Sequence, residues 1–93
     1  MPRYLIVRSF EVVEDDMPHV GRKSRKLVEN EFPDITWEHS HVIVDDTGAV
    51  KTYCVYLAPD EETVRRHSEA LGNHNIDVLY EIAGDVTPAD FPD

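Results

Sequence analysis

The turn at residues 45–48 (Asp-Asp-Thr-Gly) constrains the fold most, because segments typical of β-strands lie on both sides of it. An Asp that opens a turn and a Gly that takes the left-handed conformation are typical of tight β-hairpin loops. Residues 35–44 and 50–58 are rich in β-branched and aromatic side chains. We therefore predict a β-hairpin with a three-residue loop, in which Gly48 has a positive φ.

A strand and a helix precede this hairpin. Residues 3–10 form a short run rich in Tyr, Leu, Ile and Val, which favours a strand. Acidic residues and Pro18 then open a helix, with Asp15 or Asp16 expected to cap its first backbone N–H groups. Pro33 ends this helix, because proline cannot continue it.

A second helix and a last strand follow the hairpin. Asp60 is the predicted N-cap, and the apolar and small residues spaced along the helix predict its buried side. Gly72 ends the helix in a left-handed C-cap, and residues 76–83 form the fourth strand. The resulting order, β-α-β-β-α-β, predicts an α+β fold of the ferredoxin-like type, with two helices on one face of a four-stranded antiparallel sheet.

Length, charge and cysteine content limit the number of domains, the classes of partner and the compartment that we expect. The chain has 93 residues, enough for one domain, which we assign to residues 1–83, and residues 84–93 are expected to form an acidic tail. The formal net charge of −10 argues against nucleic acid or an anionic membrane as the main partner, because both would be repelled. No apolar run approaches the roughly 20 residues of a membrane span. The single cysteine and the lack of a signal-peptide pattern predict a reduced, cytoplasmic protein.

The hairpin register predicts which side chains share a face. A three-residue loop with Asp45 opposite Ala49 puts Ser40 opposite Cys54 and Glu38 opposite Tyr56, on the face under the helices. A slip by one residue would put Cys54 beside His39 instead. In the first register, with Ser40 opposite Cys54, the face away from the helices carries Trp37, His39, His41, Ile43, Lys51, Tyr53, Val55 and Leu57. Such a face needs a cover or a ligand, and a second subunit is the natural cover for a chain with no third layer.

The sequence also resembles a known family. The segments that carry the resemblance are Trp37-x-x-Ser40, the run Tyr-Cys-Val-Tyr-x-Ala-Pro-Asp over residues 53–60, and Val64-Arg65-x-His67. They are similar to a family of small bacterial domains long labelled as of unknown function, of which one described member is a nickel-binding protein. The resemblance spans most of the chain and implies a ferredoxin-like fold, a homodimer and, as cofactor, Ni(II).

Histidines are the best candidates for binding a metal. His39 and His41 alternate on a strand, so both imidazoles point the same way, and imidazole suits Ni, Cu and Zn. His67 is a third candidate, on the inward side of the second helix. The alternative is that His39 and His41 are simply polar residues of an edge strand, because His-x-His alone is a weak motif.

A second hypothesis is a small-molecule-binding protein or a cofactor-free enzyme, although no reaction can be assigned. Cys54 and His67 would be its nucleophile and base, with Ser40 as a third polar group. The structural alternative is that all three are core residues that satisfy one another's hydrogen bonds. Trp37 and Tyr53 would line a pocket or anchor a dimer interface.

A third hypothesis is that the protein is an assembly module without a ligand.

Overall fold

The computed structural model describes all 93 residues and confirms the predicted α+β fold. The strands are β1 (Arg3–Phe10), β2 (Thr36–Val44), β3 (Val50–Leu57) and β4 (His74–Glu81), and the helices are α1 (Met17–Asn30) and α2 (Glu61–Leu71). All four strands form one antiparallel sheet in the order β2-β3-β1-β4. Neither helix combines the length and the apolar character that a membrane crossing requires.

The helix starts differ in how they are capped. At α2, the Asp60 carboxylate accepts the backbone N–H of Thr63 at 2.8 Å, as predicted. At α1 the prediction was wrong, because a 3₁₀ turn at Glu14–Asp16 leads directly into the helix and Asp16 makes no side-chain cap. The 3₁₀ turn already places Asp16 in a helical backbone conformation, whereas a capping side chain needs an extended one.

The hairpin loop has the predicted geometry. The backbone N–H of Asp45 donates to the carbonyl of Ala49 at 3.0 Å, and Gly48 has a φ of 86°. The positive φ is the reason that glycine is needed at this position. The register from Val44 opposite Val50 to Ser40 opposite Cys54 is also as predicted.

The register changes further along β2. An irregularity at Glu38 puts Trp37, rather than Glu38, opposite Tyr56. A β-bulge inserts one extra residue on one strand, so the side chains beyond it exchange faces. The prediction that Trp37 lies on the face away from the helices was therefore wrong. Its indole packs toward the core, with its ring centroid 6.3 Å from that of Tyr56.

The sheet has two unequal faces. The covered face lies under α1 and α2, and its core residues include Ile6, Tyr56 and, from α2, Val64, which are 0%, 1% and 0% exposed. The open face has no second layer, and residues 84–93 beyond β4 are exposed. Side chains on this face include Leu5, Val7, His39, His41, Ile43, Tyr53, Val55, Leu57, Val78 and Tyr80.

Candidate functional site

A pocket lies on the covered face, between α1 and the strands β1, β2 and β3. Its volume is about 210 Å³, and we call it the Arg8 pocket. Its polar side chains come from all three strands and from α1. They are Arg8, Ser24, Ser40, Thr52, Cys54 and Tyr56, and the apolar part of the wall is formed by Phe10, Met17, Val20, Trp37, Val42 and Leu71.

Arg8 is the most unusual residue of this pocket, because it is charged and only 1% exposed. Its guanidinium donates from Nη1 to Cys54 Sγ at 3.1 Å and from Nη2 to Ser68 Oγ at 3.1 Å. It also lies over the ring of Tyr56, 5.1 Å from the centroid, in a cation–π contact. Its Nε has no hydrogen-bond partner.

Cys54 is at the centre of a chain of polar contacts. Trp37 Nε1 donates to Ser40 Oγ at 2.9 Å, and Ser40 Oγ donates to Cys54 Sγ at 2.9 Å. The Cys54 thiol lies 3.3 Å from Thr52 Oγ1 and is 3% exposed. These contacts tie the indole, the hydroxyl and the thiol into one network that borders the pocket.

His67 makes no hydrogen bond to Cys54. Its Nε2 is 3.2 Å from Ser24 Oγ, and its ring meets the rings of Tyr56 and Phe32 edge to face. Burial, followed by repulsion from the Arg8 guanidinium, lowers the pKa of His67 to about 4. The imidazole is therefore neutral near neutral pH, and no hydrogen bond joins it to the thiol as a Cys–His catalytic pair requires.

Burial and the nearby guanidinium also affect Tyr56. Desolvation raises the pKa of its phenol, and Arg8 opposes this shift only in part. The hydroxyl therefore stays protonated, 3.5 Å from both Arg8 Nη1 and Ser24 Oγ. It does not provide a negative charge for Arg8.

A larger depression, about 530 Å³, runs along the outside of α1. Its lining is mainly basic and polar, and includes His19, Arg22, Lys23 and Lys26. These four side chains are exposed, Lys23 donates to the Leu71 carbonyl at 2.9 Å, and the group contains no buried polar atom without a partner. We therefore place the candidate site for a small molecule in the Arg8 pocket.

His39 and His41 lie on the other side of the sheet from this pocket. Both are exposed, and their ring centroids are 5.4 Å apart at an angle of 73°. His41 is opposite Tyr53 across the β2–β3 ladder, so Tyr53 shares the open face with them. His67 is on the covered face, so the sheet separates it from the histidine pair.

The structure thus divides the predicted site residues into two groups. Ser40, Cys54 and Trp37 meet at the Arg8 pocket, while His39, His41 and Tyr53 meet on the open face. Sequence reasoning missed Arg8, Ser24 and Tyr56 as site residues. A signal was present for Arg8, because its two-residue spacing from Ile6 on β1 places both side chains on the covered face.

Comparisons with known proteins agree with this fold. The profile of the family described as "Nickel responsive protein SCO4226-like" matches residues 4–82. The crystal structure of SCO4226 from Streptomyces coelicolor A3(2) superposes with a TM-score of 0.66 at 19% identity, covering 90% of this chain and 99% of that one. The de novo designed protein Foldit4 has a TM-score of 0.60 at 14% identity, covering 91% and 100%. A search of the curated proteins found no match.

The match to the family spans nearly the whole ferredoxin-like unit, from β1 through β4. It agrees with the resemblance of the hairpin and α2 motifs, and with the order and pairing of the four strands. This chain therefore belongs to the SCO4226-like family of nickel-responsive proteins.

Proposed function

We propose that this protein binds a divalent metal ion, with nickel as the physiological candidate, through His39 and His41. The observation that carries the proposal is the pair of exposed imidazoles, whose centroids are 5.4 Å apart on one face of β2. Imidazole is a good ligand for nickel, and the family's description associates its members with nickel. The net charge of −10 also favours a cation.

The residues fit one half of a metal site. Two imidazoles provide two nitrogen ligands, and the chain has no group of three or more His, Cys, Asp or Glu side chains placed to hold an ion. Nickel bound here would gain further ligands from water or from a second copy of the chain. The metal would act as a crosslink or as a sensed ligand, and the residues offer no reaction of their own.

We also propose that a second copy covers the open face. Ile43, Tyr53 and Tyr80 are 44%, 38% and 67% exposed there, beside the largely apolar centre of the sheet. A stable interface removes about 800 Å² from water on each partner, and one sheet face of this size is suitable. Two chains of charge −10 repel each other, so a shared cation between them would strengthen the dimer.

The test is titration of the tag-free protein with Ni(II), by calorimetry and by sedimentation. We expect nickel to bind and to shift the protein toward a dimer, and we expect His39→Ala/His41→Ala to abolish both effects. The matched control is His19→Ala, an exposed histidine on α1, which should bind nickel like the wild type. Undiminished nickel binding by the double variant would contradict the proposal.

A further inference from the structure

The Arg8 guanidinium is a buried positive charge without a negative partner. The ion pairs of the chain involve Arg3, Arg25, Arg65 and Arg66, and none involves Arg8. A buried charge is costly unless it is paired and hydrogen-bonded. The groups that contact Arg8 are hydroxyls, a thiol and an aromatic ring, so the counter-charge is missing from the chain itself.

The Arg8 pocket gives access to this charge. It has about 210 Å³ of space, below the roughly 300 Å³ at the small end of ligand pockets. Six of its lining residues form an apolar wall, so the site suits a small molecule with an apolar body. Tyr56 provides a hydroxyl group 3.5 Å from the guanidinium, and Ser24 and Ser40 add hydroxyl groups to the pocket wall.

Gly21 marks a place on α1 where a side chain could be added to fill the Arg8 pocket. It lies in the interior of α1, where glycine costs about 1 kcal/mol relative to alanine. It lines the pocket, and a Cβ added there would meet no heavy atom within 4 Å. Close packing therefore does not require this glycine, and a larger side chain at this position has room to extend into the pocket.

We propose that the Arg8 pocket binds a small organic monocarboxylate with an apolar body, and that Arg8 supplies its counter-charge. The carboxylate would replace the neutral partners of the guanidinium, because it adds to the hydrogen bonds the attraction between opposite charges, which is strong in a poorly hydrated pocket. The apolar body would lie against Trp37, Val20 and Met17. A single guanidinium in a mostly apolar pocket favours one negative charge over the two of a phosphate monoester.

This site is independent of the proposed metal site. The carboxylate pocket is on the covered face, and His39 and His41 are on the open face. Loss of nickel binding in the histidine variants therefore leaves this proposal standing, and the reverse also holds.

The test compares sodium benzoate with benzyl alcohol, which has a similar apolar body but no charge, by calorimetry and by amide NMR shifts. We expect benzoate to bind at least about tenfold more tightly, as hydrogen bonds to a charged group allow. Shifts should concentrate at the pocket residues. Equal affinity for the two compounds, or shifts confined to other surfaces, would overturn the proposal.

Two variants test separately the charge of Arg8 and the open volume of the pocket. Arg8→Gln should remove the preference for benzoate over benzyl alcohol. Gly21→Leu should fill the pocket and abolish binding of both, while leaving Arg8 in place and favouring the helix, so it also serves if the Arg8 variant does not fold. Ala70→Leu, at an exposed position of α2, is the matched control and should bind benzoate like the wild type. Benzoate binding that survives Gly21→Leu would overturn the assignment.

Discussion

The two faces of the sheet differ in what is missing: the covered face lacks a counter-charge, and the open face lacks a second layer. The covered face buries a guanidinium, Arg8, among neutral groups, and so has a charge without a counter-charge. The open face displays apolar side chains such as Ile43 and Tyr80 to water, and so has an apolar surface without a cover. The same alternating strands produce both faces, because successive side chains point in opposite directions.

This difference suggests different partners for the two faces. A small anion would complete the covered face, since the pocket is small and the buried guanidinium lacks a counter-charge. A second copy of the chain, with a metal ion, would complete the open face, since that surface is wide and its apolar side chains are exposed to water. The stability of the isolated chain should therefore depend on the covered face far more than on the open face.

The largest expected effect comes from shortening isoleucine on each face. Ile6→Ala should cost about 3 kcal/mol, because Ile6 is 0% exposed and its loss leaves a cavity. Ile43→Ala should cost less than about 1 kcal/mol in dilute, nickel-free protein, because Ile43 is already 44% exposed. Urea denaturation measures both. A large cost for Ile43→Ala that grows with protein concentration would show that the open face is covered even without metal.

The next effect is the pH dependence of stability that arises from His67. Its pKa is about 4 in the folded chain and about 6.5 when unfolded, so the unfolded chain binds more protons between these values. The free energy of unfolding should therefore fall by about 2 kcal/mol from pH 7 to pH 5. Urea midpoints at the two pH values measure this fall.

His67→Gln should remove most of that fall in stability. His74, whose pKa burial also lowers, should leave a smaller slope of the same sign. High salt should change little, because the main cause of the His67 shift is desolvation rather than surface charge. An unchanged slope in His67→Gln would contradict the neutral, buried state assigned to this imidazole.

The smallest expected effect compares neighbours on β2 that point to opposite faces. Ser40→Ala should cost about 1 kcal/mol, because it leaves Trp37 Nε1 without its acceptor and removes a donor to Cys54. His41→Ala, at an exposed position, should stay within about 0.5 kcal/mol. Thermal or urea unfolding at low concentration measures both. Equal costs would show that the Trp37–Ser40–Cys54 network adds nothing to stability.

Much of the fold could be predicted from local sequence. The hairpin loop depends on Gly48, the start of α2 on Asp60 and the end of α1 on Pro33, and each acts within a few residues. The cap at Asp16 was the exception, because several acidic residues precede α1 and their pattern does not show which backbone is extended. The predicted buried side of α2, including Val64, His67 and Leu71, is buried in the structure.

The sites could be predicted only in part. The pairing of Ser40 with Cys54 follows from the loop, and the shared direction of His39 and His41 follows from their spacing. The bulge at Glu38 moved Trp37 to the covered face, and no local pattern marks that extra residue. His67 was expected near Cys54, but packing of α1 against α2 gave it Ser24 as partner instead.

The sequence by itself determined the order of elements, the hairpin loop and the two-residue alternation that divides the side chains between two faces. These features depend on local backbone preferences, which a few neighbouring residues set. Only the tertiary structure decided that Arg8 is buried without a carboxylate, that Trp37 borders its pocket and that His67 lies apart from the metal candidates. Those outcomes depend on distances between residues far apart in the chain, which are fixed when the helices pack on the sheet.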